Sequence, residues 1–182
     1  MRSGISTGFE PLRFGFFNFA FLFFPLCFLI SGISLPVQAS QKVTGDKGEM
    51  LIGELSEDEL YKEFPEFKKN AEEYVPDKDA LTKIKSINDP ISIIMFLGTW
   101  CGDSKRESPK LLKILDLAKN PEISITMYGV DRAKDDRGGL VKKYNIERVP
   151  TIIFFKEGVE PGRIIESPKG TIEGDFLAIL GK

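Results

Sequence analysis

The feature of this sequence that most constrains its fold is the succession of a short apolar run, one cysteine and an amphipathic run. Residues 91–98 (ISIIMFLG) are apolar and rich in β-branched side chains, as is typical of a buried parallel strand. Residues 104–119 place leucines at the spacing of one helical face. We therefore expect an α/β fold in which Cys101 lies between a strand and the N-terminus of a helix.

This position would make the Cys101 thiol reactive, because unpaired backbone N–H groups and the positive end of the helix dipole favour a thiolate. Asp103 is expected to modulate the acidity of the thiol, since negative charge near the sulfur disfavours the thiolate. Lys105 and Arg106 act in the opposite direction. Two alternatives stay open: Asp103 is only a solvated charge at the helix start, or Cys101 is an inert buried thiol.

Three features occur in a fixed order around this cysteine. The motif WCGDS at residues 100–104 is followed by Pro109 and then by VPT at residues 149–151, which enters a second apolar run. Together they resemble a thioredoxin domain, from about residue 91 to the C-terminus. The resemblance implies a thioredoxin-like three-layer sandwich with a central mixed sheet. It makes Cys101 the attacking cysteine and Pro150 a cis-proline that faces it. It also implies a substrate groove formed by four residues: Trp100, Gly102, Val149 and Pro150.

The sequence departs from the thioredoxin pattern at three positions. Ser104 stands where thioredoxins carry the resolving cysteine, and a serine can donate a hydrogen bond to the Cys101 thiolate but forms no disulfide. Met95 occupies the place of a buried acid, and Met127 that of a neighbouring lysine. The step least supported by this chain is therefore the resolution of a mixed disulfide.

The leading hypothesis is thiol–disulfide exchange by a monothiol mechanism. Cys101 would form a mixed disulfide with a protein or a low-molecular-weight thiol, and an external reductant thiol would release it. The rival hypothesis is a binding module that holds a polypeptide in the groove around Cys101 and Pro150 without turnover. An adaptor that acts through the N-terminal helices is a third alternative. We expect no cofactor.

The first 39 residues have the pattern of a secretion signal. Arg2 and Arg13 precede an apolar run over residues 14–35, and small residues end at Ala39, after which we expect cleavage. The run is about as long as a membrane-spanning helix, so an uncleaved anchor is the alternative. The protein would be secreted or periplasmic after cleavage, or membrane-anchored and facing outside the cytoplasm. Cleavage would leave Cys101 as the only cysteine.

The rest of the chain divides into three predicted parts. Residues 40–54 are polar and contain glycine, which predicts a flexible tether. Residues 55–90 predict a helical N-terminal extension, because Ser56 and Glu59 match a capping box ahead of further helical segments. Residues 91–182 form the expected thioredoxin-like core, with strands at 91–98, 123–130, 151–155 and 163–166 and helices at 104–119, 138–144 and 171–180.

Composition excludes several kinds of site. The chain has no histidine, which excludes Cys–His and Ser–His catalysis and zinc sites built on imidazole. We expect no metal site, because Asp131, Asp135 and Asp136 lack EF-hand spacing and are better interpreted as a solvated loop. Removal of residues 1–39 takes away two arginines and one glutamate, which changes the net charge from −2 to −3. This charge gives no electrostatic case for binding nucleic acid.

Overall fold

The computed structural model describes residues 39–182. The predicted signal peptide or anchor lies outside the described residues, apart from Ala39. Among residues 39–182, no helix is long and apolar enough to cross a membrane. The elements, in chain order, are β1 (Gln41–Gly45), β2 (Gly48–Leu55), α1 (Glu57–Glu63), α2 (Pro65–Glu73), α3 (Lys78–Lys85), β3 (Ile91–Leu97), α4 (Gly102–Ala118), β4 (Ile123–Gly129), α5 (Leu140–Lys143), β5 (Thr151–Lys156), β6 (Val159–Ile165) and α6 (Ile172–Ile179).

The strands form a mixed sheet in the order β1-β2-β4-β3-β5-β6. β3 and β4 are parallel, and their register pairs Met95 with Met127. The other neighbouring strands are antiparallel. A parallel pair needs a long crossover between its strands, and α4 supplies it. α4 continues through Pro109.

Helices cover both faces of the sheet. Successive side chains of a strand point to opposite faces, and β3 is buried on both. Ile93 and Met95 belong to a large core with residues of α1, α2, α3, α4 and α6. Phe96 belongs to a second core with Tyr128, Val149 and Ile153, against which residues of α5 pack. The predicted α/β sandwich with a central mixed sheet and an added helical segment is confirmed.

The prediction of a flexible tether over residues 40–54 is wrong. Residues 41–55 form β1 and β2, joined by the tight turn Asp46–Lys47. β2 pairs with β4 and buries Leu51 and Ile52, with exposed fractions of 0% and 2%. The apolar run that begins at Met50 is only three residues long, which was too short to predict a strand. In the structure, its pairing with the central strand β4 is enough to order it. Gly129 lies opposite β2, where a Cβ would be 2.3 Å from the Leu51 carbonyl oxygen.

A buried carboxylate fastens the helical segment to α6. Glu173 is 1% exposed. One of its oxygens accepts a hydrogen bond from the Tyr74 hydroxyl at 2.7 Å, and the other accepts one from the Asp77 backbone N–H at 2.9 Å. Both donors lie in the connection between α2 and α3. A buried charge is stable only when its hydrogen bonds are satisfied, so Glu173 fixes where this connection sits on the core.

Tyr74 should make the protein less stable as the pH rises above 10. Burial, and then the hydrogen bond to Glu173, raise the pKa of Tyr74 above its ordinary value of 10.0. The contribution of Tyr74 to the free energy of unfolding is fully present below pH 10, the pKa of an unfolded tyrosine. It is lost as the pH rises from there through the pKa of Tyr74 in the folded protein, because in this range the unfolded state releases the proton more readily than the folded state. We expect the free energy of unfolding to fall above pH 10. Tyr74→Phe should lower it by about 1–2 kcal/mol at pH 7 and make the alkaline fall shallower.

Urea denaturation from pH 8 to pH 11 measures both effects. Tyr144→Phe is the control, because it removes a phenol that lies outside the contact with Glu173. An alkaline slope that is the same in native protein and Tyr74→Phe would contradict the assignment.

Candidate functional site

The turn between β3 and α4 positions the cysteine. The Cys101 N–H donates to the Gly98 carbonyl oxygen at 2.9 Å, and the Gly98 N–H donates to the Ser104 hydroxyl at 3.1 Å. The Thr99 hydroxyl accepts a hydrogen bond from the Leu51 N–H of β2 at 3.3 Å. Thr99 and Ser104 are buried, with exposed fractions of 1% and 0%. This closed turn makes Cys101 the N-cap residue of α4, as the sequence predicts.

The Cys101 sulfur lies against the loop before β5. Cys101 is half-buried, and its thiol donates to the Val149 carbonyl oxygen at a sulfur–oxygen distance of 3.3 Å. The Val149–Pro150 peptide bond is cis. The structure thus brings Cys101 next to two of the predicted groove residues. Gly102 begins α4 and is exposed.

Trp100 is held from three sides. Its indole Nε1 donates to the Val130 carbonyl oxygen at 2.9 Å. Its ring lies over Gly98, where a Cβ would be 2.8 Å from the Trp100 Cε2 atom. The Arg132 Cζ atom lies 5.1 Å from the ring centroid. Trp100 is half-buried against the second core, so it both packs and presents a surface beside the sulfur.

Ser104 uses its hydroxyl to fix the turn. Its oxygen accepts the Gly98 N–H, and within residues 39–182 no hydrogen bond joins it to the Cys101 sulfur. The predicted hydrogen bond from Ser104 to the sulfur is therefore not made here. Ser104 occupies the third position of α4, one helical turn after Cys101.

The charged side chains at the start of α4 form ion pairs with one another. The Asp103 carboxylate pairs with the Arg106 guanidinium at 2.7 Å, and Arg106 also pairs with Glu107 at 2.7 Å. These contacts, with Glu107 first, raise the pKa of Arg106. Arg106 further donates to the Ser167 hydroxyl at 3.0 Å, which joins α4 to the loop after β6. Asp103 is thus a paired charge and not a freely solvated one.

A cavity of about 530 Å³ is formed by residues close to Pro150 in the sequence and by residues of β6 and the loop after it. It is lined by Arg148, Thr151, Ile165 and Glu166, among others. Within this lining, Arg148 and Glu166 form an ion pair at 2.6 Å, and Ile165 is 49% exposed. The lining thus combines apolar and charged side chains.

The aspartates of the loop after β4 have structural roles. The Asp136 carboxylate accepts hydrogen bonds from the Leu140 and Val141 N–H groups, at 3.0 and 3.2 Å. Asp136 is only 2% exposed, so the prediction that it belongs to a solvated loop is wrong. Its position four residues before the short helix α5 was the available signal, since carboxylates cap helix N-termini. In the described part of the chain, no group of acidic or cysteine side chains is arranged to hold a metal ion.

Comparison with known proteins assigns the family. The Thioredoxin family model matches residues 69–176, which is more than half of the chain. The chain belongs to the thioredoxin family. It is 37% identical over 89 residues to mitochondrial thioredoxin O2 of Arabidopsis thaliana, a match that covers 47% of this chain and 51% of that protein. It is 33% identical over 77 residues to a thioredoxin of Echinococcus granulosus, covering 42% of this chain and 66% of that protein. The chain therefore spans about half to two thirds of these relatives.

A crystal structure of oxidised thioredoxin O2 from Arabidopsis thaliana is also similar. The identity is 27%, the TM-score is 0.37, and the match covers 57% of this chain and 82% of that one. The family model begins at residue 69, inside α2, so part of the helical segment belongs to the matched region.

The two methionines that stand where the resemblance implied a buried acid and a lysine are neighbours. Met95 and Met127 are register partners on β3 and β4, with exposed fractions of 0% and 4%. Both lie in the large core, among apolar side chains. Neither can accept or release a proton, so this thioredoxin-family member has no titratable group at these two positions.

Sequence reasoning missed two residues of the site, Thr99 and Arg132. Thr99 could not be found, because its partner Leu51 belongs to the strand that was predicted as a tether. Arg132 had a usable signal. It follows β4, and the carboxyl ends of adjacent parallel strands meet at the same edge of a sheet, so it had to lie near the residues that follow β3.

Proposed function

We propose that this protein is an extracytoplasmic member of the thioredoxin family that exchanges thiols and disulfides through Cys101 alone. Thioredoxin-family proteins take part in thiol–disulfide exchange. The observation that carries the proposal is the position of the Cys101 sulfur, at the N-cap of α4 and 3.3 Å from the Val149 carbonyl oxygen. Cys101 is also the only cysteine in residues 39–182.

The proposed cycle has two exchange steps. The Cys101 thiolate attacks one sulfur of a substrate disulfide, a new sulfur–sulfur bond forms, and the other substrate sulfur leaves as a thiolate that takes a proton from solvent. An external thiol then attacks the substrate sulfur of the mixed disulfide, which returns Cys101 as a thiolate and leaves that sulfur bonded to the external thiol. Away from Cys101, a second external thiol releases the substrate thiol and forms the oxidised external disulfide. The substrate disulfide is reduced and external thiols are oxidised, while Cys101 undergoes no net change.

Ser104 and the methionine pair support the need for an external thiol. Ser104 lies one helical turn from Cys101 but has no sulfur with which to displace a bound substrate. Met95 and Met127 supply no proton donor or acceptor behind the site. The partners are accordingly a protein or low-molecular-weight disulfide and a separate reductant thiol.

The proposed location rests on the N-terminal sequence. Two arginines, a long apolar run and small residues up to Ala39 match a secretion signal. Cleavage after Ala39 would leave Ser40 directly ahead of β1, so every helix and strand of the described domain would be retained. Without cleavage, the same run would anchor the domain to a membrane outside the cytoplasm.

The alternative function is polypeptide binding without turnover. It is favoured by the exposed Ile165 and the cavity beside Pro150, which offer apolar contact independent of the sulfur. The two functions differ in what Cys101 contributes. Exchange requires a covalent intermediate, whereas a groove uses shape, backbone hydrogen bonds and apolar contact.

Capture of partners by the native protein, Cys101→Ser and Trp100→Ala tests the proposal. Exchange predicts that Cys101→Ser loses all covalent adducts, since a hydroxyl cannot form a disulfide. It also predicts that reductant releases the partners of the native protein. Trp100→Ala should keep the covalent reaction but weaken non-covalent capture by about 1–3 kcal/mol. Intact-mass spectrometry of protein purified without reductant identifies what is attached to Cys101.

If native protein and Cys101→Ser capture the same partners with and without reductant, exchange is wrong and the binding module is correct. If Cys101→Ser captures no partner and reductant releases all partners from the native protein, the binding-module hypothesis is wrong.

A further inference from the structure

Arg132 is fixed above the aromatic wall of the site. Its Cζ atom lies 5.1 Å from the centroid of the Trp100 ring, within the range of a cation–π contact. Its Nη2 atom donates to the Lys47 carbonyl oxygen at 3.2 Å, in the turn between β1 and β2. The side chain is exposed. Contacts on two sides thus hold a solvent-accessible guanidinium beside the residue that precedes Cys101.

Arg132 has no ion-pair partner among residues 39–182. The neighbouring Asp131 carboxylate instead accepts the Asp135 N–H at 2.9 Å. Three other cations around the site do have a carboxylate partner: Arg106 with Asp103 at 2.7 Å, Arg148 with Glu166 at 2.6 Å, and Lys105 with Glu66 at 2.9 Å. Paired charges largely cancel at a distance, so within the described domain Arg132 is an unpaired cation that a substrate meets directly over Trp100.

We propose that Arg132 is a specificity-determining residue that favours polypeptide disulfides with a carboxylate beside the reacting cysteine. This inference rests on the proposed exchange function of Cys101. A side chain next to the substrate cysteine would lie along the same wall as Trp100, which places its charge within about one Debye length of the guanidinium. At such distances in a solvated site, exchanging a positive charge for a negative one changes a rate by about fivefold.

Three peptides that differ in one residue test the proposal. Each carries one cysteine as a 2-thiopyridyl disulfide, preceded by Glu, Gln or Lys. The Cys101 thiolate attacks the peptide sulfur, the bond to the reporter breaks, and 2-thiopyridone leaves with the electron pair and a proton. Its absorbance gives the rate. Because the leaving group is the same, the ratio of the Glu and Lys rates isolates the effect of charge.

We expect the native protein to react about fivefold faster with the Glu peptide than with the Lys peptide at low ionic strength, and this ratio should shrink in 0.5 M salt to about two or less. Arg132→Gln should bring the ratio to about one or below. Arg132→Lys should keep most of the preference, because it keeps the charge. Arg137→Gln is the matched control. Arg137 lies on the same loop and donates to Gln41 of β1, but it does not contact Trp100.

Equal rates of the native protein with the Glu and Lys peptides would overturn the inference. So would an equal drop of the ratio in Arg132→Gln and Arg137→Gln, since net charge would then explain it. Failure of the folded native protein to react with any of the three peptides would instead overturn the proposed exchange function, and this inference with it.

Discussion

Ser104→Cys is expected to convert the protein into a dithiol reductase that reduces insulin at least about tenfold faster than the native chain. The native protein would stall as a mixed disulfide, whereas a second thiol one helical turn from Cys101 can displace the substrate by forming an internal disulfide. Residue 104 is suited to this, because positions three apart at a helix start bring their side chains together. The variant loses the hydrogen bond from the Gly98 N–H, which should cost about 1 kcal/mol of stability.

Ser108→Cys is the matched control for this gain. It adds a second buried thiol to the same helix, but seven residues from Cys101, which is about 10 Å along the axis and beyond disulfide reach. Insulin precipitation in the presence of dithiothreitol measures the activity, and free-thiol titration after oxidation measures the internal bond. Strong turnover by the native chain would contradict the monothiol account. The absence of an internal disulfide in Ser104→Cys would show that residues 101 and 104 are not arranged as inferred.

Gly129→Ala is expected to destabilise the fold by about 3 kcal/mol, because the new Cβ has no free space. It would lie 2.3 Å from the Leu51 carbonyl oxygen and 2.6 Å from the Leu55 Cδ2 atom. The closer neighbour is backbone of a paired strand, so β2 would have to move away from β4. β2 also donates the hydrogen bond from the Leu51 N–H to Thr99, two residues before Cys101. We therefore expect Cys101 to be alkylated faster in this variant.

Gly170→Ala is the control, because a Cβ there has nothing within 4 Å and the change should stay within about 0.5 kcal/mol. Urea denaturation gives the two stabilities. Similar stabilities of the two variants would show that β2 is not packed against β4 as described.

The sequence predicted the elements whose pattern is local. The strand at 91–98, the helix at 104–119 and the later strands and helices each carry their own periodicity, and the structure places them within a few residues of the predicted bounds. The sequence did not predict β1 and β2, because these strands are stabilised by pairing with other strands and not by a local apolar pattern. Gln41–Gly45 is exposed almost throughout, and its backbone is satisfied only by β2.

The candidate site divides in the same way. Cys101 at a helix start and Pro150 before β5 followed from motifs, and the structure brings Cys101 next to Val149. The contacts that hold Trp100 did not follow from motifs, because Val130 and Arg132 lie 30 and 32 residues further along the chain, at the end of the next strand and just beyond it. Asp136 was interpreted as solvated because its cluster of three aspartates was read only for metal spacing, although its position ahead of a short helix also matches a capping residue.

The contact between Tyr74 and Glu173 joins residues 99 positions apart, and that between Asp77 and Glu173 joins residues 96 apart. A ribosome makes Tyr74 first, so its hydroxyl and the Asp77 N–H must stay bonded to water until α6 has been synthesised. Cys101 and Pro150 will both have emerged before the carboxylate arrives. The connection between α2 and α3 can therefore take its final position only when α6 is present, whereas α2 can already contact α4 through Asn70 and Lys105.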